Sequence, residues 1–371
     1  MKSDLLTLTE NAYAQLKKRI KRGEFSSGML PTEKILQKEL EVGLNTLRSA
    51  QQKLINDGYI IKIRGKGTFI RDSVKKLQRK KNIAVISSAN TPHYEFWRLI
   101  NESIMENIDY AKYSVLNYSM PVLATRRIQY IKEELATSEF DYLIIYGYYS
   151  SINILLDRWI DSIPIISIGA MNQTWPVASI TPDYFRALSL ALNHLASLNH
   201  KRIGCIMSSK TYSSLDCDYT HVADNVEMRI SFIKEFAEYH GWPVNRNFFV
   251  CVEPGGNDTA AQAAKAAEKM LSLPDRPTAF ICFNDLIAKG VMIAAGNKGL
   301  RIPADLSIIG CDGLQEMQDI NPPLTTIDIG ISQLGRRAVE LLLTRGAEKD
   351  FNMIREITAV KLINGGTCRK I

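Results

Sequence analysis

Residues 277–343 read PTAFICFNDLIAKGVMIAAGNKGLRIPADLSIIGCDGLQEMQDINPPLTTIDIGISQLGRRAVELLL. An apolar run at 278–283 leads into Asn284, an alanine- and glycine-rich helical pattern follows, and a second apolar run at 306–310 leads to Asp312. This alternation predicts a strand, a helix and a parallel strand, which together form a βαβ unit. Ligands of open parallel sheets bind beyond the carboxyl ends of strands, so Asn284 and Asp312 are predicted to project into one crevice.

The same alternation begins much earlier in the chain. Four apolar runs predict strands and two helical patterns lie between them, with strands at 83–87, 114–118, 142–146 and 163–168 and helices at 97–108 and 126–136. Strands that alternate with helices in this way predict a doubly wound α/β fold.

The stretch at 277–343 closely resembles the effector domain of LacI-type repressors and the periplasmic sugar-binding proteins. The resemblance rests on PTA at 277–279, ND at 284–285, A-x-G at 288–290, GLRIPADLSIIGCD at 299–312, P-x-LTT at 322–326 and L-G-x-x-A-x-x-x-L at 334–342. It implies a two-lobed, periplasmic-binding-protein-like domain of parallel sheets, which we expect over residues 82–371.

The amino-terminal part shows a different order of patterns. A helix start at Thr7, a short helix after Pro31 and a third helix at 44–57 precede two alternating segments, 59–63 and 68–70, that predict a hairpin. The order is similar to the winged helix-turn-helix of the GntR family, on Gly23, Gly28, Leu30-Pro31-Thr32-Glu33, Leu36, Val42, Thr46, Arg48, Leu54, Asp57-Gly58 and Arg64-Gly65-Lys66-Gly67-Thr68-Phe69. This resemblance implies that residues 1–71 bind double-stranded operator DNA.

Six polar residues of this head are candidate DNA contacts. A helix that enters the major groove must offer short polar groups and arginine near its amino terminus, and the third helix carries Asn45, Thr46 and Arg48 there. The remaining candidates are placed to contact phosphate or the minor groove, namely Lys34 on the second helix and Arg64 and Lys66 at the hairpin tip.

The head also departs from the GntR pattern. The family usually carries glycine, serine or threonine, and arginine at the positions of Glu41, Gly43 and Leu44. Leu44 cannot hydrogen-bond guanine, so the operator need not resemble the family's usual one. On the second helix, Ile35, Leu36 and Leu40 are expected to face the core.

Charge divides the chain unevenly. Residues 1–81 contain 19 Lys and Arg against 8 Asp and Glu, whereas the remainder contains 27 against 31. Such a basic segment suits a nucleic acid partner, although a solvated surface alone would look the same. The stretch SVKKLQRKK at 73–81 holds five basic residues and no acidic one. We therefore expect a basic linker over residues 72–81 between the two domains.

Five residues are candidate effector contacts: Trp97, Tyr146, Arg229, Asn284 and Asp312. A flat aromatic ring can stack on the apolar face of a sugar, which is the role expected of Trp97, while Phe96 is expected in the core. Tyr146 follows an apolar strand and is expected at the rim of the crevice.

The resemblance to LacI-type domains identifies Arg229 with the family's ligand-binding arginine at a helix start, and Asp312 is expected to balance its charge. Asp285 is interpreted as a helix N-cap rather than a ligand group. The sequence departs from the LacI-type pattern at three places. Relatives often carry Asp-Arg at Gly169-Ala170 and glutamine at Ile329, so polar ligand contacts common in relatives are missing here. Relatives usually carry glycine at the position of Phe232.

Several classes of protein find no support in the sequence. The six cysteines show no C-x-x-C spacing, and the start lacks the apolar run of a signal peptide. No stretch approaches the length of a membrane span, so we expect a cytoplasmic protein without membrane contact. No G-x-S-x-G elbow, P-loop or metal cluster is present, so we expect no catalytic residues, cofactor or metal.

These observations predict a ligand-gated transcription regulator that binds operator DNA as a homodimer. The combination of the two modules is similar to that of the arabinose repressors, which implies a monosaccharide effector and a repressor of carbohydrate utilisation genes released by it. Closure of the lobes about crossovers near Thr181 and Thr325 would change the spacing of two heads. The alternatives are an effector that acts as co-activator or co-repressor, a cytoplasmic sugar-binding protein without DNA function, and an enzyme on a doubly wound sheet.

Overall fold

The computed structural model describes residues 7–25, 27–71, 80–88, 95–120, 124–146, 158–169, 177–208, 220–252 and 258–371. These residues form two compact units, Met1–Lys80 and Lys81–Ile371. The predicted linker at 72–81 lies almost wholly outside the described residues.

The described residues of the first unit form three helices and a hairpin. Its elements are α1 (Leu8–Lys21), α2 (Glu33–Leu40), α3 (Leu44–Asn56), β1 (Ile60–Ile63) and β2 (Gly67–Ile70). The two strands are antiparallel, with Ile60 opposite Ile70 and Ile63 opposite Gly67. A capping box starts α1, because the Thr7 hydroxyl accepts from the Glu10 amide while the Glu10 carboxylate accepts from the Thr7 amide. This arrangement confirms the predicted helix-turn-helix with its hairpin.

A small apolar core holds this head together. Leu16, Leu36, Leu47, Leu54 and Ile60 are fully buried, and each contributes about 1.5–3 kcal/mol through burial.

The prediction that Ile35 joins this core is wrong, because its side chain is 48 % exposed. Leu36 and Leu40 lie one helical turn apart and define the buried face of α2. Ile35 is rotated from Leu36 by about 100°, so it points away from that face.

In the second unit, the described residues form twelve strands. In chain order they are β3 (Lys81–Ser88), β4 (Tyr113–Met120), β5 (Tyr142–Tyr146), β6 (Ile165–Ile168), β7 (Ala178–Pro182), β8 (Ile203–Ser208), β9 (Phe249–Val252), β10 (Ala279–Cys282), β11 (Ser307–Asp312), β12 (Thr325–Asp328), β13 (Arg355–Thr358) and β14 (Lys361–Ile363). They form two six-stranded sheets, β13-β7-β6-β5-β3-β4 in the first lobe and β14-β12-β11-β10-β8-β9 in the second. All neighbours are parallel except β12 and β14.

Helices cover the faces of both sheets. They are α4 (Glu95–Glu106), α5 (Ala124–Tyr130), α6 (Tyr184–Ser197), α7 (Thr220–Tyr239), α8 (Asp258–Leu271), α9 (Asp285–Asn297), α10 (Gln315–Gln318) and α11 (Ile331–Arg345). The predicted helix at 126–136 changes after α5 into a π-helical turn, Ile131–Leu135. Sheets covered by helices are buried on both faces, which explains why β5 and β6 are buried at every position. The predicted doubly wound, two-lobed architecture is confirmed.

The chain crosses between the lobes three times. After β7 it enters α6, which packs on β10, β12 and β14. After β12 it enters α11, which packs on α4, β6 and β7, and the third crossing joins β13 to β14. The crossover expected near Thr181 follows the end of β7 at Pro182, and the one expected near Thr325 follows the end of β12 at Asp328. These crossings leave the carboxyl ends of β7, β12 and β13, so the carboxyl ends of both parallel sheets face the junction.

Candidate functional site

The exposed face of α3 carries the predicted base contacts. Asn45 and Arg48 are exposed and Thr46 is half-buried, while Leu47 on the opposite face is fully buried. The amphipathic pattern of α3 therefore turns these polar side chains outward.

A carboxylate on α2 holds the arginine of α3. Arg48 donates to Glu33 Oε2 from Nε at 3.1 Å and from Nη2 at 2.9 Å, and Lys62 Nζ lies 3.0 Å from Glu33 Oε1. The hydrogen bonds from Arg48 and then Lys62 hold the pKa of Glu33 below its ordinary value. Exposed ion pairs of this kind contribute at most about 1 kcal/mol, so Arg48 can leave Glu33 at little cost. No pattern in the sequence links these three residues, and Lys62 is a cation that sequence reasoning missed.

The remaining head candidates are separate exposed cations. Lys34 lies on α2, and Arg64 and Lys66 lie at the tip between β1 and β2. In the described part of the head, their side chains form no hydrogen bond or ion pair with Glu33, Arg48 or Lys62. Their positions suit contacts to phosphate, which position a protein without reading sequence.

In the second unit, Asp312 occupies the carboxyl end of β11 in a strained conformation. Its φ of 142° is rare for a residue with a side chain, and the residue is buried. Such conformations cost about 1–3 kcal/mol and cluster at functional sites. Asp312 therefore has a feature expected of a ligand contact that the sequence pattern did not predict.

The roles of the neighbouring Asn284 and Asp285 differ from the sequence interpretation. Asn284 is the N-cap of α9, because its Oδ1 accepts from the Ile287 amide at 2.7 Å. The interpretation of Asp285 as the N-cap is wrong: its carboxylate accepts from the Leu314 amide at 2.8 Å and the Thr326 hydroxyl at 2.6 Å. Burial raises the pKa of Asp285 to about 6, an effect that these hydrogen bonds oppose. Asp285, which follows β10, thus connects to β12 through Thr326 and to the segment after β11 through Leu314.

Arg229 is held by aromatic rings. Its guanidinium carbon lies 4.5 Å from the centroid of Tyr184 and 5.3 Å from that of Phe283. The expectation that Asp312 balances the charge of Arg229 stays a prediction. Asp312 and Arg229 both act on the thiol of Cys311. Burial raises the pKa of Cys311, the charge of Asp312 raises it further, and the charge of Arg229 lowers it. Both charges therefore lie near Cys311.

The expected position of Arg229 at a helix start also needs correction. α7 begins at Thr220, so Arg229 lies in its interior. Phe232, one turn later, packs its ring 6.0 Å from that of Phe185.

On the first lobe, Trp97 lies partly exposed at the start of α4. Its ring stacks on Tyr146 at 5.8 Å and meets the edge of Phe96 at 4.6 Å. A Cβ built at Gly169, whose φ is +83°, would lie 3.6 Å from the Trp97 ring. The indole therefore packs over Gly169, next to the position where a relative's aspartate would project. Phe96 is buried, as expected.

The prediction that Tyr146 lies at the rim is wrong. The residue is 2 % exposed, and its hydroxyl donates to Asn101 Oδ1 at 2.9 Å. Burial raises the pKa of Tyr146 to about 12. The tyrosine thus supports Trp97 from inside the sheet, because every side chain of β5 is covered by helices.

The comparisons with known proteins agree with these two units. The sequence profile of bacterial regulatory proteins of the gntR family matches residues 8–70, and that of the periplasmic binding protein-like domain matches residues 192–368. The chain joins a GntR-type head to a periplasmic binding protein-like domain.

Similar proteins include two repressors and a solved LacI-type regulator. The transcriptional repressor PurR of Vibrio atlanticus is 33 % identical over 57 % of this chain and 60 % of its own length, and CytR of Escherichia coli is 27 % identical over 64 % and 65 %. The chain thus spans less than two thirds of these relatives' length. A LacI family regulator from Enterococcus faecium, solved with ribose, aligns with a TM-score of 0.63 at 22 % identity, covering 78 % of this chain and 100 % of that one. Such regulators are not enzymes.

Three other observations apply to the described residues of both units. Across the described ranges, no helix has the length and apolar character needed to cross a membrane. The same ranges hold no group of three or more His, Cys, Asp or Glu side chains arranged to bind a metal ion. The cysteines of these ranges are free thiols, and Cys205 and Cys282 are buried.

The expected division of the head into base-contacting and phosphate-contacting residues predicts two different defects. We expect Arg48→Ala to weaken binding to DNA from upstream of the protein's own gene by roughly 1–3 kcal/mol relative to random DNA. Lys66→Ala should weaken both DNAs alike and reduce the slope of log affinity against log salt by about 1. Fluorescence anisotropy at several salt concentrations measures both quantities.

The control for these variants is Arg22→Ala, which removes one positive charge at the end of α1, outside α3 and the hairpin. It should leave the ratio of specific to random binding unchanged. If Arg48→Ala and Lys66→Ala have equal effects on both DNAs, the assignment of the two groups is wrong.

Proposed function

We propose that this chain is a transcription repressor that binds operator DNA through its head and leaves it when a small molecule, a monosaccharide, binds between the lobes. We further propose that residues 1–71 form the head, 72–81 a basic linker and 82–371 the effector domain, and that the protein works as a cytoplasmic homodimer. The main support is the position of polar and aromatic side chains from both lobes at carboxyl strand ends that face one junction. The similarity to PurR and CytR favours the same class.

The proposed effector contacts lie on both sides of the crevice. Trp97 offers an aromatic face from the first lobe. Tyr146 stacks against the Trp97 ring and supports it, and does not itself contact the ligand. Arg229, Asn284 and Asp312 offer polar groups from the second lobe. Asn284 keeps its amide nitrogen for a ligand hydroxyl while its oxygen caps α9.

Ligand contacts on both lobes imply a mechanism for release. A ligand that touches both lobes stabilises the closed arrangement, with movement at the three crossings that follow β7, β12 and β13. In a dimer, closure would change the separation of two heads, whose half-sites must lie about one helical turn or a multiple of it apart. Heads at the wrong spacing lose the operator.

This mechanism predicts reciprocal coupling between sugar and DNA. A sugar that lowers operator affinity by some factor must itself be bound more weakly, by the same factor, when operator is present. D-ribose, L-arabinose, D-xylose and D-galactose are first tested with the full-length protein by thermal shift. The sugar that stabilises the protein is then titrated by calorimetry with and without the upstream DNA.

The outcomes separate the possible roles of the sugar. Weaker sugar binding with operator supports a repressor that the sugar releases. Equal affinities would rule out the coupling, and tighter binding with operator would make the sugar a co-repressor. A protein that fails to retard the upstream DNA in a gel would contradict the DNA-binding function itself.

A further inference from the structure

An apolar side chain stands among the polar residues of the reading face of α3. Leu44 is the first residue of the helix and is 36 % exposed, whereas Leu47 is fully buried. Leu44 precedes Arg48 by four residues, so the two side chains lie one turn apart on the same exposed stripe. Asn45 and Ser49 beside them are exposed and polar. The first side chain of this face to meet a groove is thus aliphatic.

Base edges differ in what they offer such a side chain. In the major groove, thymine alone presents an apolar group, its 5-methyl, while guanine, adenine and cytosine present hydrogen-bonding atoms. An aliphatic chain placed against a polar edge removes water from it without supplying a partner, which costs about 1–3 kcal/mol. A leucine at this position therefore favours thymine and penalises the other three bases.

The spacing of Leu44 and Arg48 along the helix sets the distance between the two bases that they would contact. Four residues of α-helix advance about 6 Å at 1.5 Å per residue. Base pairs are stacked about 3.4 Å apart, so a helix lying along the groove brings Leu44 and Arg48 to bases about two steps apart. Glu33 holds the Arg48 guanidinium by two hydrogen bonds, which keeps this arginine on the stripe before DNA binds.

We infer that Leu44 is a specificity-determining residue that reads the 5-methyl group of a thymine in the operator, about two base steps from the guanine contacted by Arg48. This inference rests on the proposed DNA-binding function and assigns part of its sequence preference. Loss of one buried methyl corresponds to about a four-fold loss of affinity.

The test removes the methyl group from the DNA and the leucine from the protein. The full-length protein selects duplexes from a random library, and each thymine of the selected sequence is then replaced in turn by deoxyuridine, which lacks only the 5-methyl. At one thymine per half-site we expect about four-fold weaker binding by the unaltered protein. Leu44→Ala should bind the thymine and deoxyuridine duplexes equally. Leu8→Ala, which shortens the exposed first residue of α1, should respond as the unaltered protein does.

The outcomes distinguish this inference from the function on which it rests. If the selected duplex shows no thymine whose methyl matters, or if Leu44→Ala keeps the same methyl dependence, the assignment of Leu44 is wrong while DNA binding stands. If the library yields no enriched sequence, the proposed function fails and the inference fails with it. The deoxyuridine series on the unaltered protein does not depend on how any variant folds.

Discussion

We expect Asp312→Ala to reduce affinity for the effector sugar by on the order of 100-fold or more while leaving operator binding intact. A site built to hydrogen-bond hydroxyl groups loses far more than one average hydrogen bond when a buried partner is removed, because the ligand hydroxyl is then desolvated without an acceptor. Asp312 is buried at the carboxyl end of β11 and held at a φ of 142°. Strained conformations of this kind cluster at functional sites, which is why the largest effect is expected at this residue.

Calorimetry with the sugar found by the thermal-shift panel measures this effect. Glu316→Ala is the matched control, since Glu316 is an exposed carboxylate just beyond the site, on α10. Its sugar affinity should equal that of the unaltered protein. Asp312→Asn keeps the size and one acceptor oxygen, so it should retain more affinity than the alanine variant. An unchanged sugar affinity in Asp312→Ala would remove this residue from the site.

The second large effect is expected at Gly310, which lies against the Asp285 tether. A Cβ at Gly310 would fall 2.2 Å from Asp285 Oδ1 and 2.8 Å from Leu324 Cδ2. The carboxylate cannot move aside without losing its hydrogen bonds to Leu314 and Thr326. We therefore expect Gly310→Ala to lower the free energy of unfolding by about 1–3 kcal/mol, and to weaken sugar binding as the ends of β10, β11 and β12 shift.

Gly296→Ala provides a control of opposite sign. Gly296 lies in α9, and a Cβ built there meets no atom within 4 Å. Alanine is favoured over glycine inside a helix by about 0.5–1 kcal/mol, so this variant should be more stable than the unaltered protein. Urea unfolding of both variants measures the difference. If Gly310→Ala is as stable as Gly296→Ala, the Asp285 tether is not the rigid support described above.

Local patterns predicted the doubly wound α/β order of the second unit and the helices and hairpin of the head, while the two-lobed arrangement was implied by the family resemblance. Leu36 and Leu40 were correctly assigned to the buried face of α2, and the apolar runs of the second unit predicted the strands β3, β4, β5, β6, β10 and β11. Asn284 and Asp312 were brought to neighbouring strand ends by the same logic. These features follow from periodicity, since helices and strands bury one face or both at a fixed repeat along the chain.

The roles of individual polar side chains depended on contacts between segments far apart in sequence. Glu33 meets both Arg48 and Lys62 because α2, α3 and the hairpin pack around one core, and no local pattern records that meeting. Ile35 is exposed because Leu36 and Leu40 form the buried face of its short helix, and Ile35 lies on another face.

The crevice shows the same division. Tyr146 is buried because helices cover both faces of its sheet, and its hydroxyl is occupied by Asn101. Arg229 rests on the rings of Tyr184 and Phe283, which come from two other segments of the second lobe. Asp285 does not cap its helix as expected, and its carboxylate is instead hydrogen-bonded to Thr326 of β12. The sequence gives the chemical type of each side chain. Its bonding partner depends on the packing that brings distant strands and helices together, and that partner determines whether the group can bind a ligand.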